Sequence, residues 1–121
     1  MGFILTDLGE GIPDLQISGW NWKPIVAIIQ RSNLIPEGKI FHLTYQGSIV
    51  RIDEEEAQAL AVHFKELLGR VPLDGRVLGD GSITTETFEQ LHERGEPYSV
   101  ARTCIEQMAD FCGGCKGFRI Y

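Results

Sequence analysis

The clearest hydrophobic pattern in this chain runs from 53 to 69. Ala57, Leu60, Ala61, Phe64, Leu67 and Leu68 recur every three or four residues with charged residues between them, the spacing of an amphipathic helix. Asp53 and Glu56 stand at capping-box distance, and Glu54, Glu55 and Glu56 put negative charge in the first turn, where the helix dipole favours it. Gly69 marks the end. Elsewhere the pattern changes period. Residues 3–6 form a short apolar run and predict a strand, and 9–14, with Gly9, Gly11 and Pro13, predict a loop. Residues 15–17 alternate and fit a strand or a loop. Asn21 reads as a helix N-cap with Pro24 in the first turn, followed by Trp22, Ile25, Val26 and Ile29 at helical spacing to about Arg31.

Two β-favouring runs follow, 39–45 and 48–52, separated by Gln46-Gly47, and predict a hairpin. Residues 71–82 are rich in turn signals, with a brief strand at Val77 and Leu78. Thr84 or Thr85 then opens a shorter helix to about Arg94, closed by Gly95. Ser99 reads as the cap of a last helix whose apolar face carries Val100 or Ala101, Cys104, Ile105, Met108, Phe111 and Cys112, and 117–121 alternate as a closing strand. Separated rather than strictly alternating strands and helices define an α+β class. The expectation is a single domain with a small, mostly antiparallel sheet covered by three or four helices. The stripe of the 53–68 helix should lie on that sheet.

Charge narrows the functional classes. The formal net charge is -6 and the 11 basic residues are scattered, the opposite of the basic stripe that a nucleic-acid backbone requires. An acidic surface of this kind favours a basic protein partner, because opposite charge speeds encounter. No apolar run approaches the length of a membrane span, and residues 1–5 lack the basic start of a secretory signal. Gly2 and Thr6 match the loose myristoylation pattern, but Phe3-Ile4-Leu5 reads as a buried strand. An odd number of cysteines, three, without a framework spacing points to free thiols and a cytoplasmic setting.

Candidate chemistry centres on Cys112-Gly113-Gly114-Cys115. The pair sits at the end of a helix, where the dipole disfavours thiolate, and the glycines read as a C-cap. Cys104 lies about 12 Å further back along the same helix, and His42, His63 and His92 are isolated, so no zinc ligand set assembles. There is no Gly-x-Ser-x-Gly elbow, and Gly9-Glu10-Gly11 lacks the lysine of a phosphate loop. The remaining candidates are surfaces. Trp20 and Trp22 flank Asn21 in an expected extended lead-in that would point them to opposite faces, one into the core and one outward, where tryptophan is a frequent hot spot. Glu54 and Glu55 offer charge to a basic partner.

Short motifs add a resemblance. Met1-Gly2-Phe3, Trp20-Asn21-Trp22-Lys23-Pro24, the Gly47 turn before Ile52 and its alanine-rich helix, and the tail from Tyr98-Ser99-Val100 to Gly117-Phe118-Arg119-Ile120 resemble a loosely defined family of small bacterial and phage proteins. Those proteins begin Met-Gly-Phe, open a helix with Trp-Trp-x-Pro and end in a Gly-Phe-x-Ile strand. The family has no assigned activity, so the resemblance implies one small domain and transfers no catalytic residue. This chain departs from it in its single Trp-x-Trp pair and in its Cys112/Cys115 pair. Two functional expectations follow. The favoured one is a non-catalytic interaction protein, immunity-like, inhibitory or accessory to a phage or mobile element, with no cofactor. The other is a small thiol redox or metal-binding module using Cys112 and Cys115.

Overall fold

The computed structural model describes residues 2–45 and 50–121. The predicted Gln46-Gly47 turn lies outside the described residues. Those that are described form an α+β domain of seven strands and five helices, with two antiparallel sheets rather than one. The first sheet has the order β2-β1-β7-β3, with β1 (Gly2–Asp7), β2 (Leu15–Ser18), β3 (Val50–Ile52) and β7 (Phe118–Ile120). The second has the order β5-β4-β6, with β4 (Arg76–Leu78), β5 (Ile83–Thr84) and β6 (Ser99–Ala101). Register places Phe3 opposite Ile17, Leu5 opposite Ile120, and Val50 opposite the same Ile120. Because side chains alternate along a strand, these pairs all face the core, while Arg51, Arg119 and Thr6 face the other way.

Helix α3 (Glu54–Leu68) forms where the pattern predicts it. Asp53 accepts the N–H of Glu56 at 2.8 Å, and the Glu56 carboxylate accepts the N–H of Asp53 at 3.0 Å, a complete capping box. Its stripe is buried from Ala57 to Leu67, and Leu68 is half-buried at its end. The closest partner of that stripe is α5 (Arg102–Gly114) rather than the sheet. Gln58 binds the Gly113 carbonyl at 3.1 Å. Arg102 donates to the carbonyls of Leu68 and Val71 and thereby ties the end of α3 to the start of α5.

Four predicted elements differ. Residues 39–45 form a helix, α2 (Glu37–Thr44), not a strand. Pro36 at φ -58 starts the turn, and Ile40 and Leu43, three residues apart, are the buried positions. That spacing outweighs the β preference of Ile40, Phe41, Thr44 and Tyr45. Helix α1 (Gly19–Ser32) starts earlier than expected: its cap is Ser18, whose hydroxyl accepts the N–H of Asn21 at 3.4 Å. Trp20 and Trp22 therefore belong to its first turns, and Pro24 sits deeper than a first-turn proline. Ser99 does not cap α5. It pairs with Leu78 in β6 and its hydroxyl accepts from Arg76 at 2.7 Å, so that α5 begins at Arg102 after an N-cap, Ala101, without a side-chain bond. The short helix α4 (Phe88–Glu93) is capped by Thr87 with Gln90, because Ile83 and Thr84 are taken up in β5.

Candidate functional site

Tryptophans two residues apart on a helix point about 200° apart, and α1 separates them accordingly. Trp22 is 2% exposed, stacks on Phe3 at 5.3 Å between ring centres, and donates its indole N–H to the Leu43 carbonyl at 2.8 Å. It is a core residue, fully satisfied. Trp20 is 44% exposed and stands at the centre of an aromatic group built from three parts of the chain. Its ring lies 5.3 Å from Tyr98, 5.4 Å from His92 and 6.1 Å from Phe88. Phe88 and His92 are one turn apart on α4, 5.4 Å from each other. Lys23, one turn along α1 from Trp20, places its ammonium 4.2 Å from the Tyr98 ring centre.

Next to this group opens a cleft of about 340 Å³ lined by Phe3, Gly19, Trp22, Val26 and Thr44, with Lys23 and Tyr98 at its rim. The sequence carried no sign that Phe88, His92 and Tyr98 would join Trp20, beyond the four-residue spacing of the first two. Glu54 and Glu55 lie elsewhere, in the first turn of α3. Glu54 is 3.6 Å from the Lys116 ammonium, and neither acid shares a hydrogen bond, ion pair or ring contact with Trp20. The acids adjoining the aromatic group in sequence are instead Glu89, Glu93 and Glu96, all exposed.

The thiols are arranged against reactivity. Cys104, Cys112 and Cys115 are all free and buried. Burial pushes the Cys104 thiol up to about 11, and pushes Cys112 and Cys115 up as well. The Cys115 Sγ points back at the Cys112 carbonyl, 3.6 Å away. Gly113 and Gly114 belong to the last turn of α5; the residue with positive φ is Gly117. Raised thiol pKa values mean less thiolate at neutral pH, so alkylation of the folded protein is expected to be slow at pH 7. The rate at Cys104 should climb with a midpoint near 11, and all three thiols should react at ordinary rates once unfolded. Rapid modification of Cys112 or Cys115 with a midpoint well below about 8.5 would restore the redox reading. Among the described residues, no group of three or more His, Cys, Asp or Glu could hold a metal ion.

Sequence reasoning missed one buried carboxylate. Asp7 is 2% exposed and accepts four backbone N–H groups: Gly11 at 2.8 Å, Lys116 at 2.9 Å, Gly9 at 3.0 Å and Ile12 at 3.3 Å. The bond from Lys116, then that from Gly9, holds its pKa below the usual carboxylate value against the opposing effect of burial. A buried acid is a natural suspect for catalysis, but both oxygens here are committed to the backbone. Asp7 ties the 9–12 loop to the segment after α5. Its signal in the sequence was a lone acid ending an apolar strand.

Fold and site together define the class: an α+β domain with a surface aromatic group and, among the described residues, no metal-ligand cluster. Comparison with protein-family models, curated proteins and solved structures finds no match.

Proposed function

We propose that this protein is a non-catalytic interaction protein that binds a basic protein partner through the Trp20 aromatic group. The observation that carries the reading is the half-exposed indole of Trp20, set among Tyr98, Phe88 and His92, with the exposed Glu89, Glu93 and Glu96 adjoining them in sequence. Tryptophan and tyrosine dominate binding hot spots because they bury a large rigid area at little entropic cost. A lysine or arginine of the partner would stack on the indole face, with Glu89, Glu93 and Glu96 supplying attraction during approach. The adjoining cleft would receive a neighbouring apolar side chain. Function by occlusion, as in inhibitors, immunity-type proteins and mobile-element accessory factors, needs nothing more than such a surface. Three free thiols fit a reducing, cytoplasmic setting.

The test is capture of a stoichiometric partner from the native host, followed by affinity measurement with two variants. Trp20→Ala is expected to weaken binding by roughly thirtyfold or more, the scale of a hot-spot residue. Glu89→Gln with Glu93→Gln should slow association and flatten its salt dependence. A partner that binds Trp20→Ala as tightly as the natural protein would sink the proposal. So would a Trp20→Ala protein whose only defect is a lower melting temperature, because the group would then merely fasten α4 to α1.

A further inference from the structure

The opposite end of α1 carries a second, smaller cleft with different chemistry. Its volume is about 170 Å³, and three nitrogen-bearing side chains line it: Arg31 from the last turn of α1, His63 from α3, and Arg70 just beyond the end of α3. The buried Ile28, Leu67 and Val77 give it an apolar floor, and the exposed Ile83 also lines it.

The cations are poorly neutralised. Elsewhere Lys39, Arg94, Arg102 and Lys116 each sit in an ion pair with a glutamate. Among the described residues Arg70 has no side-chain hydrogen bond or ion pair. Glu66 stands one turn before it at the spacing that favours a pair, yet the pair is absent. Nor do the ring nitrogens of His63 have a partner among the described residues, where its ring contact is with Phe64 at 6.5 Å. Arg31 makes no direct ion pair among the described residues and is held in place by a neutral partner. One guanidinium nitrogen donates to the Gly79 carbonyl at 2.8 Å, and the group lies so close over Gly81 that an added Cβ there would stand 3.2 Å from it. Asp80 feels the Arg31 charge, but its carboxylate is engaged by the N–H of Ser82 at 2.9 Å and the Ser82 hydroxyl at 2.6 Å. Arg31 retains unused donors, and Arg70 and His63 retain theirs.

We propose that this cleft binds a small organic anion, an oxyanion head on a compact apolar body. Guanidinium groups match the planar or tetrahedral oxygens of carboxylate and phosphoryl groups with charge-assisted hydrogen bonds. The volume equals only about five or six liquid waters, below the usual range for drug-sized ligands, so the body is small. The aliphatic floor favours an organic anion over a fully hydrated inorganic one.

Phenyl phosphate, benzoate and inorganic phosphate serve as probes, titrated into isotope-labelled protein in 0.15 M salt while backbone amide resonances are followed. Either organic probe, phosphoryl or carboxylate, is expected to give saturable shifts around Arg31, His63, Arg70 and Gly81, and to bind tighter than inorganic phosphate. Arg70→Gln, at an exposed position with no structural bond to lose, should weaken the better probe by about tenfold or more. Lys65→Gln, an exposed cation elsewhere on α3, should leave its affinity unchanged. Four results would each overturn the proposal: no saturation by about 10 mM, shifts scattered over every surface cation, an affinity indifferent to Arg70→Gln, or inorganic phosphate binding as well as the organic probes.

Discussion

Replacing Phe64 with alanine is expected to destabilise the protein by about 3–5 kcal/mol. The ring is fully buried and lies on the stripe that also buries Ala57, Leu60, Ala61 and Leu67. The frame around it is stiff. A complete capping box fixes the start of α3, and Arg102 fastens its end to α5. Close packing between α3 and α5 is set by small groups, with Ala61 facing Gly113, so the helices have little room to move inward and fill a void. Incomplete collapse is what makes such substitutions expensive. Against the ~5–15 kcal/mol that holds a typical domain, the loss would be a large fraction of the total. Equilibrium urea unfolding measures it. Phe64→Leu, which leaves a smaller void, should cost less and keeps the comparison available if the alanine variant does not fold. A loss below about 1 kcal/mol for alanine would mean that this face of α3 is not the centre of the core.

Gly117→Ala is expected to be the most damaging change to the backbone. Gly117 has φ +90, and an added Cβ would stand 2.5 Å from the Ile52 carbonyl oxygen and 3.0 Å from the Asp53 carbonyl carbon. Both neighbours are main chain in the passage from β3 into α3, and they cannot swing aside as the end of a side chain could. The unfavourable φ alone costs ~1–3 kcal/mol, and the clash adds to it. Gly95 provides the control, for its φ is +84 but an added Cβ meets nothing within 4 Å. Gly95→Ala should therefore show the conformational part alone. Thermal unfolding of the two variants side by side separates the contributions, and equal losses would show that crowding at Gly117 has no effect.

The sequence announces an element when local chemistry and periodicity agree. Helix α3 is the example, where an apolar stripe begins at a capping box and ends at glycine. At α2 they conflict. Ile40, Phe41, Thr44 and Tyr45 prefer strands singly, but burial of Ile40 and Leu43 against α1 decides the conformation, and that depends on a tertiary surface no local window contains. Ser99 misleads for a related reason, since a serine before an apolar run signals a cap unless another strand claims it, and β4 does. The candidate site was legible only in part. Trp20 was visible as an unusual residue, whereas Tyr98 and His92, more than seventy positions away, meet it through the tertiary fold alone. The same holds for Arg31, which meets His63 and Arg70 through the fold alone; those two stand seven residues apart, on α3 and just past its end, with no motif to single them out.

The place of β7 in the first sheet governs when that sheet can exist. β7 lies between β1 and β3, and Ile4 and Tyr121 exchange both backbone hydrogen bonds, at 3.1 and 2.9 Å. On a growing chain, β1 can find β2 early. Among the described residues β3 has no neighbour in this sheet until Phe118–Ile120 has been made and has emerged from the ribosome, and until then one side of β1 also stays open. Assembly of the sheet is therefore a long-range closure of the kind that slows folding, and the nascent chain carries exposed strand edges until β7 arrives.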